Sequence, residues 1–141
     1  MAEVTFDEQT IRYVSLFQDV TQTTVVDCID TTERIIFVVK EGQIGRAIGK
    51  GGENIAKLER MFNRDVHVVE FSEKPEVFIA NVFRNYDVKK VELEERRGLT
   101  HATVTVESTK KGKAIGRDGR NLRIARDLIA RHHPVQSVSV A

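Results

Sequence analysis

The sequence predicts an α+β protein built from two copies of one unit, each a three-stranded sheet with helices packed on it. Residues 45–58 and 112–125 repeat one pattern at a constant offset of 67: glycine, a cation, Ala-Ile, Gly-x-x-Gly, asparagine and an aliphatic residue. The hydrophobic periodicity around each repeat also follows one order, which is helix, strand, strand, helix, helix, strand. A chain of 141 residues accommodates two such units of about 70 residues each.

The first unit is predicted to open with a helix whose N-cap is Thr5. Thr5-Phe6-Asp7-Glu8 fits a capping box, and Ile11, Val14 and Phe17 follow at helical spacing on the side expected to be buried. The continuous apolar run over 35–39 is typical of a strand covered on both faces or of a central strand. The further elements are strands over 24–29 and 34–40, helices over 42–48 and 52–62 with Asn63 as the stop, and a strand over 65–71.

The second unit repeats this order after a short joint, so we expect domains over 1–72 and 73–141. Pro75 suits the first turn of a helix, and Pro134 blocks the continuation of the last one. A joint of about four residues leaves little slack, so we expect the two halves to pack together. The elements are a helix over 77–83, strands over 88–95 and 100–107, helices over 110–115 and 119–131, and a strand over 135–140.

Composition favours a cytoplasmic protein without a membrane anchor, a metal or another cofactor. No apolar run approaches a membrane span, and the N-terminus lacks the basic-then-apolar pattern of a signal peptide. The single cysteine, Cys28, excludes an intrachain disulfide, and its place in a predicted strand favours a small buried side chain. His132 and His133 fit a helix end better than a metal pair. With no catalytic constellation in view, we do not expect an enzyme or a small-molecule substrate.

The net charge of +1 conceals a separation of charge along the chain. Residues 1–33 contain seven acids and one base, and this acidic start fits either a solvated face or a protein-docking surface. Residues 110–126 contain seven bases and one acid, Asp118. Because this basic run coincides with the second glycine turn, it favours a polyanionic partner over a merely solvated face.

Each repeat places a basic glycine turn between two helices. Glycine permits positive φ and close approach of another backbone, and the amides that start the following helix carry partial positive charge. A sugar-phosphate backbone therefore suits the turn, whereas Ile44 and Ile48 beside it fit either the core or a groove for unstacked bases. The cations around the first turn are Arg46, Lys50, Lys57 and Arg60.

Two other phosphate-binding motifs are excluded by their spacing. A dinucleotide fingerprint needs Gly-x-Gly-x-x-Gly after a strand, but Asn54 occupies the position of the last glycine. A P-loop needs four residues between its glycines and a Ser or Thr after the lysine, but three residues separate Gly45 from Gly49 and Gly51 follows Lys50.

Ile48-Gly49-Lys50-Gly51-Gly52 and Ile115-Gly116-Arg117-Asp118-Gly119 resemble the Gly-x-x-Gly loops of KH domains, which clamp about four single-stranded nucleotides. The element order resembles the type II KH fold, and the tandem arrangement with almost no linker is similar to the paired KH region of NusA transcription factors. The bare two-KH content is similar to that of archaeal NusA-like proteins. The chain departs from bacterial NusA because these residues include no counterpart of its polymerase-binding or S1 domain, and Asp118 puts an anion in the second loop.

This resemblance implies a single-stranded RNA-binding protein in transcription elongation, termination or antitermination, with RNA polymerase as a second partner to be considered. The alternatives are a ribosomal or ribosome-assembly KH protein, which would usually carry long basic tails, and a protein-interaction scaffold that has lost RNA binding. Intact glycines in both loops argue against the scaffold. The RNA-binding residues that we expect are Arg46, Ile48, Gly49, Lys50, Gly51, Gly52, Lys57, Lys113, Ile115, Gly116, Arg117, Asp118, Gly119, Arg120 and Arg123.

Overall fold

The computed structural model of the chain describes residues 7–141. Contacts divide these residues into two compact units, one ending at Ser72 and the other covering Glu73–Ala141. Each unit holds one three-stranded sheet with helices packed on it, and both follow the same order of elements. The predicted α+β class is therefore confirmed.

The bounds of the elements agree with the sequence predictions to within about three residues, apart from the two ends discussed below. The first unit consists of α1 (Glu8–Thr21), β1 (Val25–Asp30), β2 (Arg34–Val39), α2 (Ile44–Ile48), α3 (Glu53–Phe62) and β3 (Asp65–Glu70). The second unit consists of α4 (Pro75–Val82), β4 (Val88–Arg96), β5 (Leu99–Val106), α5 (Lys111–Ile115), α6 (Arg120–His132) and β6 (Ser137–Val140). Short 3₁₀ turns cover 50–52, 84–86, 108–110 and 117–119.

Helix α1 begins later than its sequence predicts. Its N-cap is Asp7, whose carboxylate accepts a hydrogen bond from the Thr10 amide at 2.7 Å, so the assignment of Thr5 as the cap is wrong. Thr5 itself lies outside the described residues. Ile11 is 55% exposed, which contradicts its expected burial. Successive steps of three residues drift around a helix, and Ile11 therefore lies about 120° from Phe17, which is fully buried.

In the first sheet β2 lies between β1 and β3, antiparallel to the first and parallel to the second. Every residue over 35–39 is buried, as the continuous apolar run predicted. Phe37 stacks on Phe17 with ring centroids 4.1 Å apart, and Leu58 of α3 joins the same core. Cys28 is buried in β1, also as expected. This core fixes α3, and with it the end of the glycine turn.

Helix α3 ends where its sequence predicts. Asn63 adopts the left-handed conformation with φ 54°, and its amide donates to the Glu59 carbonyl. Pro75 occupies the first turn of α4, where its missing N–H costs nothing. These two local signals were sufficient to place an end and a start.

The second sheet has β5 at its centre, antiparallel to β4 and parallel to β6. Ala102, Val104 and Val106 are buried, so the alternation with threonine predicted the correct face. Helix α6 buries Ala125, Leu128 and Ile129 beside them and leaves Leu122 half-buried, although it was expected inside. The last strand begins at Ser137 rather than 135, because only residues 137–140 pair with β5. Strands β4 and β5 are joined by the two-residue turn Arg97-Gly98, in which both φ angles are positive.

No helix within residues 7–141 combines the length and the apolar content needed to cross a bilayer.

Candidate nucleic-acid interface

The first glycine of each loop has a conformation that only glycine adopts readily. Gly49 has φ 79° and ψ 170°, and Gly116 has φ 78° and ψ 168°. A Cβ at Gly49 would lie 2.9 Å from the Asn54 side chain, and one at Gly116 would lie 2.8 Å from Asn121 Cβ. Both the backbone angles and the packing therefore require glycine here, and the two loops share one path.

The last two positions of each loop are left-handed. Gly51 has φ 63° and ψ 19°, and Asp118 in the same place has φ 58° and ψ 26°. Gly52 and Gly119 follow with φ 77° and 71°. Aspartate is among the few residues that tolerate this region, because its short side chain can hydrogen-bond locally. The backbone thus explains why Asp118 can replace a glycine without changing the loop.

The helices that leave the loops begin without a side-chain cap. Gly52 is the N-cap of α3 and Gly119 the N-cap of α6, and no described side chain accepts a hydrogen bond from the first turn in the manner of a cap. The first amides of a helix have no partner within the helix itself. The Glu53 amide donates to the Lys50 carbonyl and the Arg120 amide to the Arg117 carbonyl, and the N-terminal end of each helix directs its positive dipole toward the loop, as a phosphate requires.

An asparagine behind each loop ties the two flanking helices together. The Asn54 side-chain amide in α3 donates to the Arg46 carbonyl of α2 at 2.9 Å. The Asn121 side-chain amide in α6 donates to the Ala114 carbonyl of α5 at 2.7 Å and to the Tyr86 hydroxyl at 3.2 Å. Neither asparagine was among the expected site residues, although its recurrence at the offset of 67 was the signal that could have found it.

A residue that precedes each loop also bonds the segment between the first helix and the first strand of its unit. In the first unit Arg46 Nη1 donates to the Gln22 carbonyl at 3.0 Å. In the second unit Lys110 forms an ion pair with Asp87 at 2.5 Å, and this lysine holds the pKa of the exposed carboxyl below its usual range. Arg46, which is expected to contact RNA, therefore uses one of its hydrogen-bond donors for a contact within the protein.

The structure places all the expected charged residues on the surface around the two loops. Ile48 and Ile115 are half-buried beside the turns, and Ile44 packs partly against the first core. Arg123 Nη1 donates to the Asp118 carbonyl at 2.8 Å and so supports the second loop. Four of the expected cations have side chains with no ion pair or hydrogen bond to residues 7–141, namely Lys50, Lys57, Lys113 and Arg117. These four are available to an external anion.

The second loop lies in the more basic surroundings. Residues 108–127 contain seven bases and two acids, whereas the equivalent residues 41–60 contain four bases and three acids. Two of the differences are exchanges of sign at equivalent positions, because Glu53 corresponds to Arg120 and Glu59 to Arg126. The cations around Asp118 thus outnumber its charge.

Within residues 7–141 no group of three or more His, Cys, Asp or Glu side chains is arranged to hold a metal ion. His132 and His133 end α6, and the centroids of both rings lie 5.5 Å from that of Phe78. Their position at a helix end agrees with the sequence interpretation.

The fold and the two loops together define a protein of two type II KH domains. The KH domain family matches residues 11–79, and the NusA-like second KH domain family matches residues 75–140. The chain belongs to the NusA family, and the resemblance seen in the sequence is confirmed. Because the first match ends and the second begins near the joint, each loop lies within one matched domain.

Similar proteins extend over nearly the whole chain. Three of them are called probable transcription termination protein NusA. The protein of Thermoplasma acidophilum is 29% identical, with 99% of this chain and 97% of the relative aligned. The protein of Halococcus morrhuae is 33% identical over 98% and 99%, and that of Methanocaldococcus jannaschii 30% identical over 99% and 76%. The crystal structure of APE1850 matches with a TM-score of 0.75 at 33% identity and covers 96% of this chain and all of that one.

Proposed function

We propose that this protein binds single-stranded RNA through its two Gly-x-x-Gly loops and acts in transcription elongation, termination or antitermination. The observation that supports this most strongly is the pair of loops with nearly the same backbone angles, each bordered by exposed cations that have no ion pair or hydrogen bond to residues 7–141. A KH loop holds a nucleic-acid backbone of about four nucleotides in this way.

The proposed contact has three parts. The phosphates approach the positive N-terminal ends of α3 and α6, with open space at Gly52 and only the far end of the Arg123 side chain near Gly119. Lys50 and Arg117, the second residues of the two loops, supply charge-assisted hydrogen bonds. The bases then lie beside the half-buried Ile48 and Ile115. No chemical step is involved, so the function is recognition and not catalysis.

We assign the RNA contact to the fifteen residues that the sequence predicted and the domains to 1–72 and 73–141. The relatives are named as probable transcription termination proteins, which supports a role in transcription for this chain too. We propose RNA polymerase as the protein partner, since termination acts on a transcript still held by the polymerase.

The binding mode is tested by competition. A labelled single-stranded RNA bound to the full chain should be displaced by unlabelled single strand and only weakly by duplex RNA or duplex DNA. Affinity should fall with salt, by about 0.7 in log K per log unit of salt for each phosphate neutralised. Equal competition by duplex would contradict KH-type recognition.

The biological role is tested by cross-linking RNA to the protein in cells and sequencing the recovered RNA. Recovery of nascent transcripts near their 3′ ends would support the role in transcription. Recovery of ribosomal RNA alone would instead favour the ribosomal or ribosome-assembly alternative.

A further inference from the structure

We propose that Asn54 and Asn121 are positioning residues, which hold the two Gly-x-x-Gly loops in their phosphate-binding shape without touching the RNA themselves. This inference rests on the proposed function for its effect on RNA, but its structural part concerns the free protein. It assigns a role to the only polar position that is identical in residues 45–58 and 112–125 and that the RNA contact leaves unexplained.

The hydrogen bonds show what each asparagine joins. Helices α2 and α5 have five residues each, which is too short for a helix to be stable by itself. The carbonyls of a last turn have no amide partner further along the helix. The Asn54 side chain supplies a donor to one such carbonyl, that of Arg46, and the Asn121 side chain supplies one to Ala114. Each bond therefore joins the helix before the loop to the helix after it.

The first glycine of the loop packs directly against the same asparagine. A Cβ at Gly49 would come within 2.9 Å of both Cγ and Nδ2 of Asn54. A Cβ at Gly116 would come within 2.8 Å of Asn121 Cβ and 2.9 Å of its backbone nitrogen. The asparagine is therefore the surface on which the turn rests, and glycine is required because the contact is so close.

Helix stability does not explain an asparagine here. Asparagine is a poorer helix former than alanine, and neither Asn54 nor Asn121 caps its own helix, since the N-caps are Gly52 and Gly119. Replacement by alanine should thus favour the helix slightly while releasing the loop. In both units the asparagine at this position bonds a carbonyl of the preceding short helix, eight residues before Asn54 and seven residues before Asn121.

The test replaces Asn54 by alanine in the full chain and follows the loop in the free protein by amide hydrogen exchange. We expect faster exchange over 49–52 at an almost unchanged urea midpoint. Affinity for a single-stranded RNA should fall about three- to tenfold, because a smaller fraction of molecules holds the binding-competent loop. Asn121→Ala should do the same over 116–119. Asn85→Ala, at an exposed asparagine of a 3₁₀ turn, is the matched control for the Asn54 variant and should change neither readout.

Each alternative outcome overturns the inference in a recognisable way. Reduced RNA affinity with parental exchange in the free loop would mean that the asparagine contacts RNA directly. Loop amide exchange and RNA affinity both at the parental level would mean that the loop keeps its shape without the asparagine hydrogen bond. If even the parent chain binds no RNA, the proposed function fails, but faster loop exchange in Asn54→Ala would still establish the positioning role.

Discussion

Asp118 illustrates how a single residue is constrained by the backbone rather than by charge. It lies where the first loop has Gly51, and the φ angles differ by only a few degrees, 58° against 63°. From the sequence alone, this aspartate is an anion at the position where a phosphate is expected to bind. The structure adds that the position demands a left-handed residue, for which aspartate is one of the few substitutes for glycine.

This equivalence makes a charge test of the first loop possible. Lys50→Asp with Gly51→Asp should lower RNA affinity at least about tenfold, since a charge-assisted contact is lost and two carboxylates repel phosphate. The fold should persist, because Asp118 already occupies that conformation and a Cβ at Gly51 meets nothing within 4 Å. Fluorescence anisotropy and a urea midpoint measure the two quantities.

The matched control is Arg97→Asp with Gly98→Asp at the tip of the β4–β5 turn. It makes the same chemical change, a cation followed by a left-handed glycine, at two exposed residues outside the proposed RNA contact. RNA binding at the parental level by the Lys50 and Gly51 variant, or unfolding of that variant, would show that the loop does not have the assigned role. An equal loss of RNA affinity in the control would show that the effect comes from the change in net charge and not from the loop.

His67 provides a prediction on stability and pH. Burial, followed by the nearby charge of Arg34, holds its pKa below the usual 6.5, so the folded protein takes up this proton less readily than the unfolded chain. The contribution of His67 is therefore fully present above about pH 6.5 and is lost as the pH falls toward the lowered pKa of the folded state. The free energy of unfolding from urea titrations should decline from pH 7.5 to 5, by at most about 1.4 kcal/mol per pH unit from this one group.

Replacing His67 by glutamine should flatten that decline, because the titrating group is gone. His101→Gln is a useful comparison, since His101 also lies in a strand but hydrogen-bonds the hydroxyl groups of Ser137 and Ser139. Parallel pH profiles for the parent and His67→Gln would exclude His67 as the source.

At the scale of elements, the two loops have the same shape but different electrostatic surroundings. Helices α5 and α6 bring five bases of residues 110–126 to the second loop, whereas acids lie at two of the equivalent positions around the first. The first loop thus depends more on the charge of Lys50, while the second distributes attraction over many side chains.

Arg117→Asp should therefore lower RNA affinity less than Lys50→Asp does. In the proposed contact Asp118 opposes a phosphate at the second loop, and the remaining cations keep the surroundings of that loop positive. Both single variants change the charge by the same amount and occupy the same loop position, so each is the control for the other. Titrations with one RNA at one salt concentration measure the two losses, and a larger loss at Arg117 would contradict this account.

At the scale of the whole molecule, two loops on one chain predict bivalent binding. Only residues 71–74 separate β3 from α4, so binding of an RNA at one loop should raise its effective concentration at the other. An RNA long enough to reach both loops should bind far more tightly than one that reaches a single loop. Inserting about ten Gly/Ser residues after Glu73 should reduce this gain, because a flexible joint lowers the effective concentration.

The comparison uses the intact chain and the insertion variant, each with a short and a long RNA at one salt concentration. The short RNA is the internal control, because the insertion should leave its affinity unchanged. Equal affinities of the intact chain for short and long RNAs would show that the loops act separately or that only one of them acts.

The sequence by itself determined the features that depend on near neighbours along the chain. The repeat at an offset of 67 was enough to predict two units of one fold and both glycine turns, and hydrophobic periodicity predicted the order of helices and strands along the chain. Asn63 and Pro75 fixed a helix end and a helix start, because left-handed caps and first-turn prolines act within a few residues. Turn chemistry and hydrophobic periodicity depend on residues that are close together in the sequence, and the sequence alone therefore predicts them.

Only the tertiary structure decided what depends on the path of the chain in space. It exposed Ile11, moved the start of α1 to Glu8, and showed that Arg46 bonds the Gln22 carbonyl. It also brought the Asn54 side chain to a carbonyl eight residues earlier. That contact exists because the glycine turn brings the two helices together. A residue type that recurs in the sequence does not show where its side chain points or which group it contacts.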